Sequence, residues 1–178
     1  MTVGGRRAQC VAAWHRILAV KENQPNKIEG ELTADGAQVA VVVSRFNEFI
    51  TGHLLESAVN TWARLGGSAP RLTVAWVPGA LELAVTARKL AETGKYQAVV
   101  CLGCVIRGET DHYDHVVAQT AKGIRQVATQ SGVPCIFGVL TCDSLEQAID
   151  RAGGKLGNAG GKAMLAAVEM ANLLKKID

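Results

Sequence analysis

Four times between residues 39 and 140 a short aliphatic run is followed by a segment whose apolar positions recur at helical spacing. Val39 to Val43 is a β-branched run with one Ala, as expected of a strand buried on both faces. Leu54, Leu55, Ala58, Val59, Trp62 and Leu65 then share a helix face, and Gly66-Gly67 supplies a left-handed stop. Leu72 to Val77 predicts a second strand, and Leu83, Ala84, Ala87 and Leu90 a second helix that Gly94 ends. Ala98 to Leu102 is the third strand; a polar loop from Gly103 to His112 precedes a helix through Val116, Val117, Thr120, Ile124 and Val127, closed near Gly132. Val133 to Leu140 is the fourth strand. Asp143, with Glu146 three residues on, reads as a capping box opening a short helix to Ala152. After a Gly-rich break over 153–161, Met164, Leu165, Val168, Met170, Leu173 and Leu174 form a last amphipathic helix.

Few folds accept that pattern. Successive parallel strands need right-handed crossovers, so four βα units predict an α/β fold: a parallel sheet with helices on both faces. Ligands of such sheets sit beyond the carboxyl ends of the strands. The rule selects four loops: Ser44 to Asn47, Pro78 to Glu82, Cys104 to His112 and Thr141 to Ser144.

Composition narrows the class of partner. The chain has 178 residues, 48% hydrophobic and 20% charged, which suits one globular domain and excludes disorder. No apolar run approaches the roughly 18 residues of a membrane helix. The formal charge of +3 is concentrated in residues 1–27, where Arg6, Arg7, Arg16, Lys21 and Lys27 face Glu22 alone. Residues 28–178 hold 14 basic and 15 acidic residues, so the body is not a nucleic-acid surface. The lead over 1–27 has no regular apolar period and reads as an appendage to a domain over 28–178. Its Arg-rich balance allows a transit peptide or its remnant, although Thr2 is its only hydroxyl residue and such peptides are Ser-rich. The five cysteines, at 10, 101, 104, 135 and 142, do not resemble a disulfide framework, and buried thiols in a reducing compartment are the expectation.

Local chemistry leaves alternatives open. Neither a Walker motif nor a Gly-x-Gly-x-x-Gly fingerprint occurs; Gly160-Gly161-Lys162 is followed by Ala163. Arg107-Gly108-Glu109-Thr110-Asp111-His112 reads either as a tight turn capped by Thr110 or as an anion cradle of backbone N–H groups, with His112 as a neighbouring general acid/base. Cys101-x-x-Cys104 with His112 and His115 has zinc-ligand types without the common structural spacing, and a thioredoxin-like pair would open a helix, which this one does not. Only three Phe occur, so Phe46 just past the first strand is a candidate for stacking on a planar heterocycle. Phe137 reads locally as core, and Arg151 as a solvated charge or a bidentate phosphate ligand.

Taken in order, these motifs resemble the lumazine synthase family across nearly all of 28–178. The resemblance is carried by Ile-Glu-Gly-Glu-Leu-Thr at 28 to 33, Val-Val-Ser-Arg-Phe-Asn at 42 to 47 and Val-Pro-Gly-Ala-Leu-Glu at 77 to 82. It continues in Val-Ile-Arg-Gly-Glu-Thr-Asp-His-Tyr at 105 to 113, Phe-Gly-Val-Leu-Thr at 137 to 141 and Glu-Gln-Ala-Ile-Asp-Arg-Ala-Gly-Gly-Lys at 146 to 155, then Asn158 and Glu169-Met170-Ala171-Asn172. It implies a flavodoxin-like three-layer α/β/α sandwich with a four-stranded parallel sheet, assembled as pentamers with the active site between subunits. The implied reaction condenses 5-amino-6-(D-ribitylamino)uracil with 3,4-dihydroxy-2-butanone 4-phosphate to 6,7-dimethyl-8-ribityllumazine, the penultimate step of riboflavin biosynthesis, with no cofactor and no metal.

By family position, Phe46 stacks on the pyrimidine beside Asn47, and Ala80, Leu81 and Glu82 hold the ribityl chain. Cys104, Val105 and Ile106 line the ring site through backbone groups, and Phe137 closes it from the neighbouring subunit. Glu109 and Thr110 bind the phosphate with Arg151, and His112 transfers protons. Two positions depart from the family pattern: Ala159 stands where many members have Lys, and Leu81 where an aromatic is usual. They leave a second class of function, a shell-forming or flavin/lumazine-binding homologue with weakened catalysis. The short 153–158 connection resembles members that close twelve pentamers into a sixty-subunit shell. Cys135-Ile136-Phe137 and Thr141-Cys142-Asp143 resemble plant-type enzymes, which makes the plastid stroma one expected location and the cytoplasm, with an added leader, the other.

Overall fold

The structure is a computed structural model that describes residues 25–177. The lead therefore lies outside the described residues except for 25–27, which are exposed, and Cys10 lies outside them too. In chain order the elements are β1 (Val39–Ser44), α1 (Glu48–Arg64), a 3₁₀ turn (Ala69–Arg71), β2 (Leu72–Val77), α2 (Glu82–Glu92), β3 (Ala98–Ile106), α3 (His112–Ser131), β4 (Cys135–Cys142), α4 (Leu145–Arg151) and α5 (Ala159–Leu174). The sheet is all parallel, in the order β2-β1-β3-β4.

The β-branched runs become strands because both sides of each central strand are covered. On β1, Val39, Val41 and Val43 face a core built with Ile50, Leu54, Ala58 and Trp62 of α1 and Met164, Ala167 and Val168 of α5. Ala40 and Val42 point the other way, into a core with Leu83 and Ala87 of α2 and Ile124 and Val127 of α3. Period-two alternation thus feeds two cores, and the three-layer α/β/α sandwich expected from the sequence results. The first helix ends as predicted, with Gly66 at φ 85°. Trp62, nearly fully buried, keeps its indole N–H satisfied on the Ser68 carbonyl at 3.0 Å. Among the described residues no helix is long and apolar enough to cross a membrane.

Three local expectations are corrected. β3 does not stop at Leu102 but stays paired with β4 through Ile106↔Cys142, because β4 itself runs on to Cys142 and Gly103 fits between Leu83 and Val139. Cys104, Val105 and Ile106 are accordingly strand residues, not loop residues. β4 begins at Cys135 rather than Val133: Pro134 has no N–H to donate, and only its carbonyl engages the sheet, accepting from the Val99 N–H at 2.8 Å. The cap of α4 is Ser144, whose Oγ accepts from the Gln147 N–H at 3.3 Å. Asp143 is not that cap because its carboxylate accepts from the Arg107 guanidinium at 3.0 Å.

Candidate active site

The carboxyl ends of β1, β2 and β3 surround a cleft of about 320 Å³. From the β1 end, the Arg45 and Phe46 N–H groups continue the parallel pairing onto the Val77 and Pro78 carbonyls at 2.8 and 3.1 Å, which delivers the Phe46 ring to the rim. The ring is 70% exposed on one wall of the cleft. Asn47 follows in the left-handed region at φ 59°, a conformation Asn tolerates, and its side-chain amide donates to the Cys104 carbonyl at 3.0 Å. Asn47 does not line the cleft; it ties the β1 loop to the end of β3.

After β2, Gly79, Ala80, Leu81 and Glu82 form the second wall. Glu82 opens α2 with its carboxylate folded back over Gly79: a Cβ built there would meet Oε2 at 3.1 Å. The floor is Cys104, Val105 and Ile106. Cys104 borders the cleft with its backbone, while its side chain is buried in the core beneath α1 and α5, and burial, with a smaller contribution from Cys142, pushes that thiol up to about 12. Cys101 is also raised by burial and sits in the other core, so the two sulfurs of the Cys-x-x-Cys pair face opposite sides of β3 and cannot share an ion. Among the described residues no three His, Cys, Asp or Glu side chains converge on a metal-sized site.

The remaining wall is the loop entering α3. Gly108 and Thr110 line it, followed by His112, Tyr113 and Val116 from the first turns of the helix. The N-cap of α3 is Asp111, without a side-chain cap bond, and among the described residues the Thr110 hydroxyl makes no hydrogen bond, so the capped-turn reading of Thr110 does not hold. Tyr113 and Val116 were not singled out as site residues by the motif, yet Val116 is four residues from His112 and falls on the same helix face.

Besides Asn47, three predicted residues lie outside the cleft. Glu109 is exposed in the loop without lining the cleft. Arg151, at the end of α4, donates to the Gln147 carbonyl at 3.1 Å. Phe137 is 42% exposed on β4, which overturns its local reading as core: β4 is an edge strand, with no further strand beside it. Phe49, 66% exposed and in edge contact with His53 at 5.1 Å, completes a set in which every Phe of the chain is at the surface.

A parallel sandwich of order 2-1-3-4 with a cleft at the carboxyl ends of its strands belongs to the flavodoxin-like class, whose ligands bind where the strand order reverses. Over residues 36–175 the sequence matches the family model described as 6,7-dimethyl-8-ribityllumazine synthase. The chain belongs to that family.

Proposed function

We propose that the protein makes 6,7-dimethyl-8-ribityllumazine in riboflavin biosynthesis, by condensing 5-amino-6-(D-ribitylamino)uracil with 3,4-dihydroxy-2-butanone 4-phosphate. The observation that carries this reading is the convergence of Phe46, Glu82, Thr110 and His112 on one cleft with an apolar floor. Phe46 stacks on the pyrimidine, a contact of about 0.5–1.5 kcal/mol beyond burial. Ala80, Leu81 and Glu82 follow the ribityl chain, the Glu82 carboxylate accepting from its hydroxyls. Backbone groups of Cys104 to Ile106 meet the edge of the ring, and backbone N–H groups of Glu109 and Thr110 receive the phosphate.

The 5-amino nitrogen attacks the ketone carbon, and water leaves to form an imine. Loss of a carbon-bound proton expels phosphate. The enol left by that elimination takes up a proton on its terminal carbon and becomes a ketone; the ribitylamino nitrogen attacks this new carbonyl, and a second water leaves as the ring closes. Each step moves a proton, and His112 carries it, a role supported by its position on the cleft at the head of α3, while the walls hold the two reactants together.

Arg151 and Phe137 support assembly: both are exposed and outside their own chain's cleft, so a neighbouring subunit supplies them, in a pentamer that closes into a sixty-subunit shell. With Ala159 at the head of α5, Arg151 carries more of the phosphate charge. The catalytic domain begins near residue 28, since the Asn172 amide holds the Glu31 and Thr33 carbonyls at 2.7 Å each and Lys176 holds the Glu29 carbonyl at 3.0 Å.

Purified protein given both substrates should generate the absorbance and fluorescence of the lumazine; a rate no greater than the uncatalysed condensation refutes the reaction. His112→Ala should lower kcat by about a hundredfold, the lower end of the range for general acid–base catalysis. Arg151→Ala should mainly raise KM for the butanone phosphate. Tight riboflavin binding without turnover would favour the ligand-binding alternative.

A further inference from the structure

Arg107 stands at the start of the loop that carries Gly108 to His112, yet its guanidinium faces away from the cleft. Its Nε donates to Asp143 Oδ1 at 3.0 Å, and its two terminal nitrogens donate to the two oxygens of Asp114 at 3.3 and 3.2 Å. The guanidinium carbon lies 4.1 Å from the centre of the Tyr113 ring, and the backbone N–H donates to the Cys142 carbonyl at 2.8 Å. One side chain therefore spans the ends of β3 and β4 and the first turn of α3, with its full fork engaged.

The surroundings give that arrangement an electrostatic meaning. Glu109 and Asp111 lie in the same loop, and among the described residues neither has a cationic partner within 4 Å. Without Arg107, the carboxylates of Asp114 and Asp143 would join them, and a phosphate approaching the Gly108–Thr110 N–H groups would meet four acids. We infer that Arg107 is a positioning residue that neutralises Asp114 and Asp143 and so keeps the loop receptive to a phosphate. The inference rests on the reading of that loop as the phosphate-binding element.

Calorimetric titration of the assembled protein with inorganic phosphate tests it without relying on turnover. Arg107→Met should weaken binding by about tenfold, as expected when two uncompensated charges face a dianion across a short distance. The triple variant Arg107→Met, Asp114→Asn, Asp143→Asn should return to within about threefold of wild type, because no charge is left to mask. Asp114→Asn with Asp143→Asn alone should tighten binding, and Arg107→Lys should hold it within about threefold. KM for the butanone phosphate should follow the same order while kcat changes little. A wild type that does not bind phosphate, an Arg107→Met variant with wild-type affinity, or a triple variant as weak as Arg107→Met would each overturn the inference. Absence of lumazine formation by wild type would instead overturn the proposed reaction, leaving the phosphate affinities to decide the role of Arg107.

Discussion

Cys104 shows how a residue can border a cleft with its backbone while its side chain belongs to the core. Its carbonyl is held by Asn47 at 3.0 Å and its thiol is pushed up to about 12 by burial, against an ordinary value of 9.0. In the unfolded chain the thiol loses its proton first, so the folded state binds more protons above pH 9 and stability falls as pH rises from there towards 12. Denaturant midpoints at pH 8 and pH 10.5 should therefore differ less in Cys104→Ala than in wild type; an unchanged difference would contradict the shift. Phe46, Glu82 and His112 were legible as residues of the cleft because each stands next to the end of an apolar strand or the start of a helix. Arg107 was not, since its partner Asp143 is 36 residues away and reads locally as a helix cap.

Between elements, the close pairing of α1 with α5 depends on glycine. At Gly160 a Cβ would run into the backbone of Leu54, and at Gly161 it would meet Ser57 Oγ at 2.7 Å, so the two helices approach nearly backbone to backbone. Gly160→Ala should lower unfolding free energy by about 3 kcal/mol, the upper end for overpacking. Gly52→Ala in α1, where nothing lies within 4 Å, should raise it by about 0.5–1 kcal/mol. Chemical denaturation of both variants checks the contrast, and a loss at both positions would show that helix propensity and sterics had been misassigned. The Gly-rich stretch before α5 was legible only as a break. Its packing role needs α1, more than a hundred residues earlier.

For the molecule as a whole, an aliphatic core accompanies three surface Phe, and large apolar side chains such as Leu81, Val85, Leu145 and Leu156 are also exposed. That distribution suits a chain that buries part of its surface against copies of itself. Light scattering on the native protein should give a mass near sixty subunits, whereas a mass near five would restrict the assembly to the pentamer. The order of elements, the two-sided burial of the central strands and three of the four loops expected at the cleft follow from residues close together in the chain, because periodicity and turn chemistry are local properties; the fourth, Thr141 to Ser144, does not line it. Where β3 and β4 end, which acid caps α4, and that Phe137 is surface rather than core were settled only in three dimensions. Each depends on which elements the crossover connections bring together: β4 pairing past Gly103, Arg107 claiming Asp143, and β4 being left as the edge of the sheet at Phe137.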